Sequence, residues 1–159
     1  MNRRELFSSL FSKKKGNENI KIRPPYYKDK DSFIKECIEC EGDCSTFCQE
    51  NILIITKDKT PCIDFNIGGC TYCDECALNC PKDVLKVEDK RYINIDVEID
   101  MLKCLSWNGV MCFSCKDPCI DEAIEFLGIF KPNIIKDKCT SCGFCINSCP
   151  SNAIILKEI

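Results

Sequence analysis

The chain of 159 residues has no histidine. That absence removes imidazole as general acid or base, as a ligand of a Rieske-type centre and as half of a Cys-His zinc finger. A dinucleotide-binding fingerprint is missing too, so nothing points to a nicotinamide or flavin of the chain's own. Long apolar runs are equally absent. Lys13, Lys14 and Lys15 interrupt the Leu-Phe pattern near the start, which leaves neither the about 7 to 15 apolar residues of an export signal nor the about 20 of a membrane span. The length itself allows one or two small domains and argues against a large enzyme with its own substrate pocket.

What the sequence has in excess is cysteine, 17 residues. A secreted disulfide scaffold would call for an export signal and normally an even count. With neither in view, the expected setting is cytoplasmic, the thiols reduced and bound to metal. The formal charge of -3 divides unevenly. Residues 1–30 hold nine Lys and Arg against three Asp and Glu, and the remainder 13 against 22. An acidic body of this kind disfavours nucleic acid as a partner.

Sixteen of the cysteines fall into four groups. The second, Cys70-x2-Cys73-x2-Cys76-x3-Cys80-Pro81, and the fourth, Cys139-x2-Cys142-x2-Cys145-x3-Cys149-Pro150, follow the bacterial ferredoxin spacing for a 4Fe-4S cluster without departure. The first, Cys37-x2-Cys40-x3-Cys44-x3-Cys48, carries one extra residue next to Gly42 and has Gln49 in place of proline. The third, Cys104-x7-Cys112-x2-Cys115-x3-Cys119, opens with a long loop holding Trp107 and Gly109. Four-cysteine zinc is the competing reading, but its ligands usually come as two separated C-x2-C pairs. We therefore expect three to four 4Fe-4S clusters, with all sixteen thiols as ligands.

Between the thiol groups lie short β-rich runs. A hairpin is expected over 52–65, a strand in 92–99, a second hairpin over 123–135 broken by Gly128 and Pro132, and a last strand at 153–156. A helical turn is expected at Asp31–Glu36. The pattern of thiol loop plus hairpin thus repeats. In two-cluster ferredoxins the fourth cysteine of one motif serves the other motif's cluster. Adjacent pairing would join Cys37, Cys40 and Cys44 with Cys80, and Cys70, Cys73 and Cys76 with Cys48. It would likewise join Cys104, Cys112 and Cys115 with Cys149, and Cys139, Cys142 and Cys145 with Cys119. A nested arrangement would instead pair the first group with the fourth and the second with the third.

The expected fold is α+β, tandem bacterial-type two-cluster ferredoxin-like units with little hydrophobic core. Residues 1–30 would form a basic tail, docked on a partner or disordered, 31–100 the unit with motifs one and two, and 101–159 the unit with motifs three and four. Within the first segment, Pro24 and Pro25 enforce an extended backbone that could lay Tyr26 and Tyr27 on the body, or serve only as a stiff linker. Phe47, Tyr72, Phe113 and Phe144 adjoin ligands and would either shield clusters from water or only fill what little core there is. Cys62 fits no group and reads as a buried free thiol.

Several features together resemble the NapF family of ferredoxin-type accessory proteins: the early Arg3-Arg4 pair, Arg23-Pro24-Pro25 followed by aromatics, the order of the four groups, and the long third loop from Cys104 to Cys112. This resemblance implies a cytoplasmic protein without substrate turnover. It would act in maturation of, or electron supply to, the catalytic subunit of periplasmic nitrate reductase in its cytoplasmic precursor form. The alternative is a general electron-transfer module, exchanging electrons with redox partner proteins of another oxidoreductase complex.

Overall fold

The computed structural model describes residues 20–159. The arginine pair and the lysine run near the start lie outside the described residues. The elements are short because thiol loops interrupt the chain before any long periodicity develops. In order they are α1 (Asp31–Glu36), α2 (Asp43–Thr46), β1 (Leu53–Ile55), β2 (Pro61–Ile63), α3 (Glu75–Leu78), a 3-10 turn (Val87–Asp89), β3 (Ile95–Ile99), β4 (Ile124–Leu127), β5 (Phe130–Ile134), α4 (Phe144–Asn147) and β6 (Ile154–Glu158). Among the described residues, no helix is long and apolar enough to cross a membrane.

Three two-stranded antiparallel sheets result. Local sequence dictates two of them. β1 and β2 pair with Leu53 opposite Ile63, around a turn in which Lys59 takes a positive φ of 58° and the Thr56 N–H donates to the Thr60 carbonyl at 3.0 Å. β4 and β5 pair with Leu127 opposite Phe130, turning at Gly128 with φ 69°, a conformation that glycine adopts without the cost of a side chain. The third sheet joins distant segments: β3 pairs with β6, Ile95 opposite Glu158 and Ile99 opposite Ile154.

The N-terminal strap, 20–27, does for the first half what β3 does for the second. The Ile63 N–H donates to the Ile22 carbonyl (2.8 Å), and the Lys86 N–H to the Tyr26 carbonyl (2.7 Å). Tyr27 forms an isolated antiparallel bridge with Leu85. Each half thus runs as a leading extended segment, two thiol groups flanking a hairpin, and a closing segment that returns to the leading one. These pairings run across the boundaries read from sequence at residues 30 and 100.

A two-stranded sheet is marginal alone, so these sheets depend on side chains packed between them. That interior is more extensive than the sequence led us to expect. Tyr26, Phe33, Ile52, Leu85, Ile93 and Val97 are buried, and they belong to one continuous cluster in which Cys37, Cys44, Cys76 and Cys115 are embedded. The strap supplies much of the difference. Arg23 lies over the Phe33 ring at 4.6 Å, and Tyr27 meets the same ring edge-on at 5.1 Å. Arg91 caps Tyr27 at 4.0 Å.

Candidate metal centres

The loops are shaped by residues at fixed offsets from the cysteines. Two residues before the third cysteine, Gly42, Asp74 and Gly143 take left-handed backbone, φ 84°, 67° and 87°, and each starts a four-residue helix. The extra residue of the first group therefore falls between Cys40 and Gly42, and Cys44 enters its helix as Cys76 and Cys145 enter theirs. Three residues beyond the fourth cysteine, Asn51, Asp83, Glu122 and Asn152 are all left-handed, φ 55°, 54°, 49° and 49°. Their N–H groups donate to the carbonyls of Cys48, Cys80, Cys119 and Cys149 at 3.0 to 3.3 Å. One turn closes all four loops, whether the residue after the cysteine is proline, as at Pro81 and Pro150, or Gln49 or Ile120.

The folded chain gathers the thiols into four quartets. The Cys37 thiol is pushed up to about 11 by burial and then by Cys40 and Cys80. Cys44 is pushed up to about 12 by burial and then by Cys80, Cys37 and Cys40. These four form the first quartet. Cys70, Cys73, Cys76 and Cys48 surround a second cavity, where burial leads and neighbouring thiols add to raising Cys70 to about 11 and Cys76 further. Cys104, Cys112, Cys115 and Cys149 surround a third, where Cys115 is raised to about 12, first by burial. Cys139, Cys142, Cys145 and Cys119 surround the fourth, where burial again leads in raising Cys139 and Cys145. Adjacent groups exchange their fourth thiol; no quartet has the nested pairing.

The three cavities are of one size, about 20 Å³ each, so the second, third and fourth quartets present equivalent spaces. All seventeen cysteines are free thiols, which sets aside a disulfide framework. Among the described residues, no three His, Cys, Asp or Glu side chains are drawn tightly enough to share a single metal ion. Zinc thiolates sit about 2.3 Å from their ion and so close to one another; these thiols instead stand back around a space. Backbone N–H groups point at ligand sulfurs, Leu85 to Cys80 Sγ (3.5 Å), Ala123 to Cys119 Sγ (3.3 Å) and Ala153 to Cys149 Sγ (3.2 Å). Such donors stabilise thiolate charge and tune potential. An all-thiol donor set, apolar walls and N–H groups aimed at sulfur fit a 4Fe-4S group.

Of the two roles open to the four aromatics beside the ligands, lining the cavities is not the one they take. None of Phe47, Tyr72, Phe113 and Phe144 lines the three cavities. The second is closed by Pro24, Pro25 and Tyr26 of the strap with Ile52, the third by Ile99, Leu105 and Pro132, the fourth by Val97, Ile124 and Ile134. Phe47 is about half exposed, and Phe113 packs on Phe126 at 4.8 Å. The Arg-Pro-Pro-Tyr-Tyr string was the available signal for the strap. Cys62 stands apart on β2, buried, its thiol raised by that burial.

Turn-matched thiol loops around quartets of this kind define an iron-sulfur protein of the ferredoxin type, and residues 132–155 match the 4Fe-4S binding domain model. The chain is 33% identical over 142 residues to the ferredoxin-type protein NapF of Escherichia coli, covering 87% of this chain and 85% of that one, and it belongs to the NapF family. It is also 27% identical over 155 residues to the ferredoxin-type protein NapG of Escherichia coli, 82% of this chain and 66% of that one. The methylamine utilization ferredoxin-type protein MauM of Methylorubrum extorquens is 28% identical over 149 residues, 80% of this chain and 67% of that one.

Proposed function

We propose that the sixteen quartet cysteines hold four 4Fe-4S clusters, and that the protein is an electron carrier without substrate turnover in a periplasmic nitrate reductase system. The observation that supports it most is the common build of the four loops, in which the two irregular groups end in the same turn as the two regular ones. Each cluster, when bound, accepts and releases a single electron. The chain's own part is to hold the sulfurs as thiolates, to exclude water with apolar walls, and to aim N–H donors at Cys80, Cys119 and Cys149.

In this proposal the protein stays in the cytoplasm and docks on the catalytic subunit of nitrate reductase before that subunit is exported, for maturation or electron supply. Membership of the NapF family supports this reading. The test is anaerobic co-purification from cells that make both proteins. Recovery of the catalytic subunit with its signal peptide still attached is the expected result; recovery only of the processed subunit, or of none, overturns it. Likeness to a protein named for methylamine utilization favours a second reading, a general electron-transfer subunit that serves more than one oxidoreductase, and capture of a redox partner in place of the precursor would support that.

A further inference from the structure

We propose that Cys70 and Cys142 form an electron bridge between the two halves of the molecule, and that Gly69 and Gly143 set its span. The inference rests on the ligand assignment above. The Cys70 N–H donates to the Cys142 carbonyl at 2.7 Å, so an unbroken route runs from one ligand sulfur, through the Cys70 backbone and one hydrogen bond, to the other. Cys70 serves the second quartet and Cys142 the fourth. Cys142 is also near enough for its charge to act on Cys70.

The junction is built for close approach from both sides. A Cβ added at Gly69 would stand 2.4 Å from the Phe144 ring and 2.7 Å from the Phe144 backbone nitrogen, and one at Gly143 would stand 2.1 Å from the Phe65 ring. Each half therefore presses a phenylalanine onto a glycine of the other. Tyr72 ties the same place: its hydroxyl donates to the Thr140 carbonyl at 2.5 Å and accepts from the Ile93 N–H at 3.2 Å. Asn147 Nδ2 donates to the Ile67 carbonyl at 2.5 Å. Three hydrogen bonds and two ring-on-glycine contacts thus fix a single backbone bond between ligand-bearing loops.

The order of sites follows. Motif one gives Cys48 to the second quartet, motif four gives Cys149 to the third and motif three gives Cys119 to the fourth, and the Cys70–Cys142 hydrogen bond joins the second quartet to the fourth. The path through the molecule is first, second, fourth, third, not the order of the motifs in the chain. With clusters held at both sites, one electron crossing the bridge would leave a reduced cluster at one of them, oxidising it, and enter an oxidised cluster at the other, reducing it. No bond forms or breaks and no proton or leaving group moves.

The test uses the full chain, anaerobically loaded, with iron and sulfide measured in every sample. A reduced viologen radical supplies single electrons, and freeze-quench EPR follows their redistribution between the halves. The native protein should show a first-order cross-half phase. Gly69→Ala, whose backbone conformation suits any residue, should keep its iron and lose that phase. A fully loaded native protein without a cross-half phase overturns the bridge, as does a fully loaded Gly69→Ala protein with an unchanged one. If Gly69→Ala fails to load, the native result decides alone. Native protein lacking iron at the second or fourth site overturns the ligand assignment itself, and the bridge with it.

Discussion

Nine residues other than glycine hold a left-handed backbone among those described, and four of them stand three places beyond a fourth cysteine. Asparagine and aspartate tolerate that conformation, whereas other side chains pay roughly 1–2 kcal/mol for it. Glu122 is the poorest fit of the four. Glu122→Asn should therefore raise stability by up to about 1 kcal/mol, read as a higher urea midpoint for loss of visible absorption; a lower midpoint would mean that the glutamate side chain contributes something the turn does not explain. The thiols give a second expectation. In the folded metal-free chain burial pushes the Cys37 and Cys70 thiols up to about 11 and those of Cys44 and Cys115 up to about 12, against an ordinary value of 9.0. The folded chain thus keeps protons that the unfolded chain releases, a contribution whole below about pH 9 and lost as pH rises through 11 to 12. Urea midpoints of the metal-free protein should fall steeply above pH 9, while the loaded protein, its thiols already deprotonated by ligation, should not share that fall. A parallel decline in both would contradict the burial of the thiols.

Among the elements, those made by neighbouring residues were legible and those made by distant ones were not. The hairpins β1–β2 and β4–β5 were readable from β-rich runs around turn residues, and α1 from a short helical pattern. No local signal announces that β3 will pair with β6, because the partners lie more than fifty residues apart and either strand could have closed on a nearer one. The strap was visible as an extended Pro-Pro segment, but its role as a wall of the second cavity needed the fold. The proline after the fourth cysteine mattered less than the spacing rule suggests, since Gln49 and Ile120 enter the same turn. The extra residue in the first group is accommodated for a similar reason: Gly42 already occupies the left-handed position two before Cys44. Deleting Glu41 should therefore leave the iron content unchanged, and loss of one cluster's iron would show that the longer loop is required. Tyr26 is 1% exposed, and Tyr26→Ala should cost about 3–5 kcal/mol and speed loss of iron in air from the second site. Loss at the third or fourth site instead would separate the strap from the cavity it lines.

At the scale of the whole molecule, two similar halves meet at Cys70 and Cys142 and share one continuous interior. The sequence disclosed the sixteen ligand candidates and their grouping, because cysteine spacing is a local property. It left open which group completes which, since adjacent and nested schemes use the same residues; the folded chain brings adjacent groups together. The central claim is that the two irregular groups are full sites built like the two regular ones. Iron and acid-labile sulfide per chain, measured on protein purified without oxygen, tests it most directly. Four clusters of four irons require about sixteen of each. About twelve of each would mean that an irregular group, the first or the third, stands empty despite its matching turn, and a folded protein free of iron would contradict the iron-sulfur assignment altogether.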